Sequence, residues 1–280
     1  MRIAISNIAW DTALDEQVAL LLRKYHIDAI DVAPGKYFRV PKETRLADVT
    51  MLRDWWCERG IEVIGMQSLL FGVAEMNLFG RSEIQAAMLD HLNDICRIAS
   101  NLGATKLVFG SPKNRNRSGL SDEDAAKIAI IFFRRLGDLA GSHGVVVCLE
   151  PNPSCYGCNF MVNSSETASI VFRVAHPSIR MQLDTGALTI NGEDPHQVIR
   201  EYAHIIGHVH ASEPGLATLG DGKTDHAKGA SALRRYLNDQ VVSIEMLPAK
   251  DESHIVAIER ALQVAVNYYR NANCGLEDVL

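Results

Sequence analysis

Short apolar runs recur at steady intervals along the chain and predict the strands of a sheet. Eight of them, each four to six residues long, are bounded by polar residues, glycine or proline. Runs of this kind are typical of parallel strands that are buried on both faces, whereas half-exposed antiparallel strands alternate apolar and polar positions. The predicted strands span residues 2–6, 29–33, 62–66, 106–110, 145–149, 180–183, 204–209 and 241–244.

Between these runs the apolar residues recur at the spacing of amphipathic helices. The fourth helix, for example, is predicted to carry Ile131, Phe132 and Leu136 on its buried face. Glycine follows several of these patterns, as at Gly60 and Gly103, and is typical of helix ends. The predicted helices span residues 14–25, 50–59, 82–102, 122–143, 165–175, 195–202, 230–238 and 253–271.

Eight strand–helix units in 280 residues leave 35 residues per unit, close to the size of one unit in a (β/α)8 barrel. An open doubly wound sheet is the alternative, but the sequence lacks the glycine-rich phosphate loop that such a sheet favours. No linker rich in proline, glycine or serine divides the chain. The sequence therefore predicts an α/β fold, a single-domain (β/α)8 TIM barrel over residues 1–270, with a polar C-terminal tail at 271–280.

Composition and charge restrict the class of protein. The chain has 47% hydrophobic and 22% charged residues, an ordinary globular profile, and its 28 basic and 34 acidic residues give a net charge of −6. An acidic chain does not attract a nucleic-acid backbone, so no nucleic-acid partner is expected. No apolar run approaches the roughly 20 residues of a membrane span, and the first residues lack the pattern of a signal peptide. We therefore expect a cytoplasmic protein without a membrane partner.

The candidate chemistry lies where the last four predicted strands end. Barrel enzymes carry their catalytic residues at the carboxyl ends of the strands. Glu150, Asp184, His210 and Glu245 end strands five to eight, and neighbouring strands about 4.8 Å apart bring such side chains together. Three carboxylates and one imidazole suit Mn²⁺, Mg²⁺, Co²⁺ or Fe²⁺, and the lack of thiolates argues against a structural zinc site. A single acid at a strand end is usually a cap, but four such residues in register predict a metal centre.

The segments around these residues resemble the metal-binding motifs of the xylose isomerase-like TIM barrel superfamily. They are Glu150-Pro-Asn, Leu183-Asp-Thr-Gly, His208-Val-His-Ala-Ser-Glu213 and Ile244-Glu245. The resemblance covers nearly the whole chain. It is similar in particular to the sugar phosphate isomerase and epimerase group, which includes tagatose 3-epimerase-like and hydroxypyruvate isomerase-like enzymes.

This resemblance implies one divalent cation, with Mn²⁺ favoured, held by Glu150, Asp184, His210 and Glu245. It also implies that Glu150 and Glu245 are the catalytic pair. They would move a proton next to the carbonyl of a small sugar, sugar phosphate or related polyhydroxy compound through a metal-stabilised enediolate. An isomerase or epimerase of carbohydrate metabolism is thus the first hypothesis. Assembly into a homo-dimer or tetramer is implied by the resemblance alone.

Two positions depart from the epimerase pattern. Ala187 stands where the epimerases have a substrate-binding histidine, and the segment from Glu150 to Tyr156 lacks their substrate-binding glutamate. These departures favour, as an alternative, a metal-dependent dehydratase or lyase that acts on a keto-polyol or sugar acid. A catalytically silent barrel that serves as a binding protein is an alternative of another class. A three-metal DNA-repair endonuclease is disfavoured, because only one of the four rim ligands is histidine.

Other polar residues at the same rim are candidates for contact with the substrate. Lys113 and Arg115 lie on the loop after strand four and would pair with an anionic group, unless the loop is only a solvated connection. Gln67 ends strand three and is expected to donate to a sugar hydroxyl. His208 and Glu213 flank the strand-seven ligand and are expected to contact the substrate or to support the metal ligands.

Overall fold

Parallel strands form a closed barrel in the computed structural model, which describes residues 1–73 and 75–270. The strands are β1 (Ile3–Ser6), β2 (Ala29–Val32), β3 (Glu62–Met66), β4 (Lys106–Phe109), β5 (Val146–Leu149), β6 (Ile179–Asp184), β7 (Ile206–Ser212) and β8 (Val242–Glu245). Each strand pairs with the next along the chain, and β8 pairs with β1. The predicted single-domain (β/α)8 TIM barrel is confirmed, whereas the tail predicted at 271–280 lies outside the described residues.

Helices connect the strands around the barrel. The α-helices of the described residues are α1 (Asp15–Lys24), α2 (Leu46–Cys57), α3 (Ser82–Leu102), α4 (Asp122–Ser142), α5 (Ser164–Val174), α6 (Thr185–Asn191), α7 (Pro195–Tyr202), α8 (His226–Tyr236) and α9 (His254–Ala265). A π-helix, Val266–Arg270, continues α9. Short 3₁₀ turns lie at Asn7–Ala9, Thr12–Leu14, Pro34–Lys36, Pro41–Glu43, Lys113–Arg115, Ser154–Tyr156 and Pro214–Leu216. Within this part of the chain, no helix is both long enough and apolar enough to cross a membrane.

Polar caps explain where two helices differ from the sequence prediction. The prediction does not include α6, which begins after Asp184, whose Oδ1 accepts from the N–H of Ala187 at 2.6 Å. α8 begins four residues before its predicted start, because Asp225 accepts from the N–H of Lys228 at 2.9 Å. In both cases the side-chain cap starts the helix at residues where the sequence does not yet show the apolar spacing of a helix, so the prediction missed the start.

The buried face of α4 is rotated from the predicted one. Phe132 and Leu136 are buried as predicted, but Ile131 is 63% exposed and Phe133 is buried instead. Phe133 packs edge-on against Phe109 of β4, with ring centroids 5.3 Å apart. The rest of this face is made of small residues, Ala125, Ala126, Ala129 and Ala140. The small side chains explain the error, because the prediction followed only the large ones.

Two bulges interrupt the register of the barrel. Between β2 and β3, one residue of β3 is skipped just before Asp31 pairs with Gly65. Between β6 and β7, one residue of β7 is skipped just before Gln182 pairs with His208. A bulge re-aims the side chains beside it and is common next to functional sites. Both bulges therefore affect polar residues inside the barrel.

Candidate metal centre

Four side chains with metal-ligating groups meet at the carboxyl ends of β5 to β8. Glu150 follows β5 directly, Asp184 is the last residue of β6, and Glu245 is the last residue of β8. His210 of β7 pairs in register with Asp184. One ligand atom from each of the four residues lies within 4.8 Å of the others. The structure thus brings together the four residues that the strand ends predict as ligands.

The contacts of this cluster centre on His210, which is fully buried. Its Nδ1 lies 3.1 Å from Oε2 of Glu245 and 3.4 Å from Oε1 of Glu150. Asp184 is held separately, because Oγ of Ser212 donates to its Oδ2 at 2.7 Å. The ring and the three carboxylates therefore occupy fixed positions around one small volume.

Burial and mutual repulsion set the charges of this cluster. Burial raises the pKa of Asp184 to about 7, and the carboxylates of Glu245 and Glu150 add to the shift. Burial alone would lower the pKa of His210, but the carboxylates around it, Glu245 first, hold it well above its ordinary value. Burial likewise opposes the ionised form of Glu245, yet His210 and a hydrogen bond from Gln67 lower its pKa. Without a cation, protons on Asp184 and His210 therefore reduce the negative charge of the cluster.

The donor set fits a divalent cation. Oε1 of Glu150 is buried without a hydrogen-bond partner in the described part of the chain, while its Oε2 accepts from Nδ2 of Asn152 at 3.0 Å. Gly110 leaves room for this carboxylate, because a Cβ there would lie 2.0 Å from Oε2. Three carboxylates and one imidazole suit Mn²⁺, Mg²⁺, Co²⁺ or Fe²⁺. Glu150, Asp184, His210 and Glu245 are therefore the residues that would hold such a cation.

A cavity of about 420 Å³ adjoins the cluster, and Glu150, Asp184 and Glu245 line it. Much of its remaining wall is apolar and includes Leu69, Leu70, Phe109, Pro151, Pro153 and Leu216. Tyr156 also lines the cavity, and its hydroxyl accepts from the N–H of Gly215 at 2.7 Å, which joins the loops after β5 and β7. A cavity of this size with a few converging polar groups is typical of a small-molecule site.

Gln67 lines this cavity, as expected for a residue at the end of β3. Its Nε2 donates to Oε1 of Glu245 at 2.7 Å, and the side chain is buried. Its Oε1 has no hydrogen-bond partner among the residues described. The amide thus fixes Glu245 with its donor and leaves an acceptor for a hydroxyl, whereas the sequence led us to expect donation to the sugar.

Glu213 also lines the cavity, but the loop after β7 engages its carboxylate. The N–H groups of Gly220 and Thr224 each donate to it at 3.0 Å, and Nε2 of His226 lies 3.0 Å away. Burial opposes ionisation, but His226 and these N–H groups lower the pKa of Glu213 to about 2. Glu213 therefore holds the loop over residues 220–226 as an ionised acceptor.

Three other residues predicted to contact the substrate do not line the cavity as the structure describes it. Arg115 is fully buried, and its Nη1 donates to the backbone carbonyl of Glu150 at 2.7 Å. Lys113 is exposed on the loop after β4. His208 is buried inside the barrel, with Nε2 at 3.1 Å from Oδ2 of Asp31. Contact with the substrate stays a prediction for these residues, and Arg115 reaches the site only through the backbone of Glu150.

Sequence reasoning missed three polar residues near the centre. Asp31 is 1% exposed within β2, Gln182 is fully buried within β6, and Asn152 donates to Glu150. The signal for Asp31 was available, because a lone acid inside a strand buried on both faces requires a partner. Asn152 and Gln182 carried no comparable signal, since amides are common both in loops and in strands.

An eight-stranded barrel with a carboxylate and histidine cluster at the carboxyl ends of its strands defines the class of this protein. Residues 20–267 match the family model of the xylose isomerase-like TIM barrel. The match spans most of the chain, so the chain belongs to this family, as the resemblance of its motifs indicates. No curated protein matches the chain.

Solved structures share the fold over nearly the whole chain. D-psicose 3-epimerase from Clostridium cellulolyticum H10 has a TM-score of 0.79 at 17% identity, with 96% of this chain and 98% of that chain covered. An L-ribulose 3-epimerase has a TM-score of 0.75 at 18% identity, with 96% and 92% covered. A probable 3-DHS dehydratase from Bacillus anthracis has a TM-score of 0.74 at 14% identity, with 95% and 99% covered. At these identities the likeness shows the fold alone.

Proposed function

We propose that this chain is a divalent-metal-dependent isomerase or epimerase of a small sugar, sugar phosphate or related polyhydroxy carbonyl compound. The observation that carries the proposal is the pair Glu150 and Glu245, whose carboxylates lie 3.4 and 3.1 Å from Nδ1 of His210 beside a cavity of about 420 Å³. A cation held by these residues and Asp184 would polarise the substrate carbonyl and make the neighbouring C–H more acidic. The family and the epimerases among the structural neighbours support the same function.

Glu150 and Glu245 are the proposed acid and base. One carboxylate removes the proton from the carbon next to the carbonyl, and the other returns a proton. Return to the same carbon from the opposite face gives the epimer. Return to the neighbouring carbonyl carbon gives the isomer, provided that the hydroxyl proton also passes from one oxygen to the other. Gln67 holds Glu245 at 2.7 Å and Asn152 holds Glu150 at 3.0 Å, so both carboxylates are oriented before the substrate arrives.

The cavity supports a polyhydroxy substrate. Much of its wall is apolar, so a bound substrate would displace water from the carboxylates and strengthen their electrostatic interactions. Oε1 of Gln67, which accepts no hydrogen bond from the described residues, is available to a hydroxyl next to Glu245. A small carbohydrate is therefore the proposed partner, and a nucleic acid or a membrane is not.

A metal-dependent dehydratase or lyase acting on a keto-polyol or sugar acid is the second candidate. Ala187 favours it, because this residue lines the cavity where the epimerases carry a polar histidine. Removal of the proton next to a carbonyl serves both reactions, and departure of a β-hydroxyl as water then completes the elimination. A silent binding barrel is disfavoured, because three clustered carboxylates with little solvent exposure are costly without a cation or a reaction that uses them.

Cation identity, location and assembly belong to the same proposal. We favour Mn²⁺ by analogy with the family, although three carboxylates and one imidazole also suit Mg²⁺, Co²⁺ and Fe²⁺. The cytoplasm is the proposed location, because the sequence has no apolar run of membrane-span length and no signal-peptide pattern. A homodimer or tetramer is the proposed assembly, by analogy with the family alone.

Chelation combined with solvent exchange tests the proposal. Metal content is measured by elemental analysis, and ketoses and sugar phosphates are then incubated in D₂O with Mn²⁺, Mg²⁺ or Co²⁺ returned after chelation. We expect one divalent ion per chain, activity that disappears and returns, and deuterium on the carbon next to the carbonyl by NMR. Turnover that survives complete metal removal and introduces no deuterium would contradict the proposal. Loss of water with a new ultraviolet absorption would instead support the dehydratase.

Asp184→Asn separates metal binding from proton transfer. The substitution weakens one ligand but leaves Glu150 and Glu245 in place, so Mn²⁺ affinity should fall while much of the turnover returns at high Mn²⁺. Asp138→Asn is the matched control, because the side chain of Asp138 is 79% exposed. Unchanged Mn²⁺ affinity in Asp184→Asn would exclude Asp184 from the centre.

A further inference from the structure

Asp31 places a buried carboxylate inside the barrel, next to the histidines of β7. Its Oδ2 lies 3.1 Å from Nε2 of His208 and 3.8 Å from Nε2 of His210, and the residue is 1% exposed. β2 and β7 are not neighbours in the barrel, so these contacts cross its interior. Neither carboxylate oxygen and neither Nε2 atom has a hydrogen bond of ordinary geometry with a described residue. A buried carboxylate without such hydrogen bonds destabilises the fold, so the presence of Asp31 at this position requires an explanation.

The fold makes space for this carboxylate. Gly65 pairs with Asp31, and a Cβ at residue 65 would lie 2.2 Å from Oδ1 of Asp31. Gly65 is not among the residues with positive φ, so space and not backbone conformation requires glycine there. The bulge between β2 and β3 lies directly beside this pair, and the bulge between β6 and β7 lies beside His208.

The two ring nitrogens of His210 face different surroundings. Nδ1 faces Glu245 and Glu150, whereas Nε2 faces Asp31. A neutral imidazole carries one proton, and a metal ligand must offer the lone pair of the other nitrogen. A carboxylate near one nitrogen holds the proton there and leaves the other nitrogen free, as in many metal-ligating histidines.

We propose that Asp31 is a positioning residue that keeps the proton of His210 on Nε2 and so directs the Nδ1 lone pair to the metal centre. The inference rests on the proposed function, in that the centre binds a divalent cation. His208 restrains Asp31 from the side, and the side-chain amide of Gln182 lies 3.2 Å from Nδ1 of His208. A row of contacting side chains thus crosses the barrel interior and reaches the candidate metal ligands. It consists of Gln182, His208, Asp31 and His210.

A second cation between Asp31, His208 and His210 is the competing interpretation, because ligand atoms of these residues also lie within 4.8 Å of one another. The ring of His210 would then have to lose both protons and bridge two ions. With a single cation bound at Nδ1, the ring of His210 is neutral and keeps one proton, on Nε2. Metal stoichiometry distinguishes the two arrangements.

Cobalt binding to Asp31→Asn tests the inference, because asparagine keeps the shape of the side chain and removes its charge. By calorimetric titration we expect one Co²⁺ per wild-type chain and a Kd about 10- to 100-fold weaker in Asp31→Asn. Asp28→Asn is the matched control, since Asp28 lies just before β2, pairs with Arg2 and is 60% exposed. Equal Co²⁺ affinity in Asp31→Asn, or two Co²⁺ per wild-type chain, would overturn the inference.

Gly65→Ala provides a second variant that leaves the charge of Asp31 intact. The added Cβ displaces the carboxylate, so we expect a loss of Co²⁺ affinity of the same kind. The Mg²⁺-loaded wild-type protein gives a readout that needs no variant. Its ring ¹⁵N spectrum should show the His210 proton on Nε2, and a proton on Nδ1 would refute the assignment.

The two proposals fail in different ways. If the wild-type protein binds neither Co²⁺ nor Mg²⁺, the proposed function fails and the positioning role fails with it. If the wild-type protein binds one Co²⁺ and Asp31→Asn binds it equally well, the proposed function stands and only the role of Asp31 is refuted.

Discussion

Nδ1 of His210 lies 3.1 Å from Oε2 of Glu245, so the two side chains form an ion pair when the ring is protonated. Although burial opposes both charges, the carboxylate raises the pKa of His210, and the ring lowers the pKa of Glu245. For Asp184, the favourable contacts with His210 and Ser212 do not offset the effect of burial, and burial raises its pKa to about 7. Protons therefore occupy the cluster near neutral pH, and a cation must displace them.

Metal affinity is expected to fall on acidification. Below pH 7 a cation must displace the proton of Asp184 as well as that of His210, so the Kd for Mn²⁺ should rise by about tenfold or more per pH unit. Calorimetry at pH 6, 7 and 8, in two buffers of different ionisation enthalpy, measures both the Kd and the protons released. A Kd that stays constant over this range would mean that the cluster holds no such protons.

The metal-free protein is expected to lose thermal stability as the pH rises from 5.5 to 8. The folded pKa of Asp184 is raised, so its contribution is complete below the ordinary pKa near 4 and is lost as the pH rises through about 7. The raised pKa of His210 acts in the same direction, with a contribution that is lost above the ordinary pKa near 6.5. The lowered pKa values of Asp31 and Glu245 contribute stability above about pH 4 and add no slope in this window.

Calorimetric unfolding with and without Mn²⁺ measures this effect. Bound Mn²⁺ replaces the protons, so the increase in Tm on adding Mn²⁺ should be larger at pH 8 than at pH 5.5. Asp184→Asn should flatten the pH dependence of the metal-free protein. The opposite trend, with Mn²⁺ stabilising most at pH 5.5, would show that the charges of the cluster have been assigned wrongly.

Glu150→Gln and Glu245→Gln are each expected to leave a folded protein with turnover reduced by about 100- to 10,000-fold at saturating Mn²⁺. Glutamine keeps the length of the side chain and one ligand oxygen but does not take up the substrate proton. Initial rates and solvent deuterium exchange, measured over a range of Mn²⁺ concentrations, separate lost proton transfer from lost metal. Glu62→Gln is the control, because that side chain is 67% exposed. Full activity in either variant would rule out the two-carboxylate scheme.

Gly110→Ala is expected to weaken Mn²⁺ binding by tenfold or more through Glu150, as ligand displacement does in other metal sites. Its backbone φ is not positive, so alanine is allowed there, but the new Cβ would lie 2.0 Å from Oε2 of Glu150. Gly35→Ala is the control, since nothing lies within 4 Å of the Cβ it would add. Equal Mn²⁺ affinity in the two variants would show that Glu150 moves aside without cost and is not a fixed ligand.

The fold was predictable because the sequence patterns of its strands and helices are local and recur eight times along the chain. Strands buried on both faces read as apolar runs, and eight such runs separated by helical patterns leave few architectures of this length. Helix starts that depend on a single capping residue were harder to predict, as at Asp184 and Asp225. The cap lies before the first residues that show the apolar spacing of a helix. The buried face of α4 was misread at Ile131, since alanines and Phe133 decide which side meets the sheet.

The candidate ligands were predictable for a topological reason, since parallel strands bring their carboxyl ends to one rim. Side-chain direction was not predictable in the same way. Arg115 reads as a rim cation but is buried against the carbonyl of Glu150, and His208 is buried beside Asp31, far from it in sequence. The register bulges beside Asp31 and His208 leave no mark in a single sequence.

Ala187 is the residue through which the shape of the cavity can be tested apart from the metal. Its side chain lines the cavity, while its N–H donates to Oδ1 of Asp184 at 2.6 Å, a bond that any non-proline residue retains. In Ala187→Leu we therefore expect unchanged Mn²⁺ affinity and a KM raised by about tenfold or more, because added methylenes occupy space that the substrate needs. Ala217→Leu, at an exposed position on the loop after β7, is the control. If KM were unchanged, the substrate would not reach this wall, and Ala187 would no longer favour a dehydratase over an epimerase.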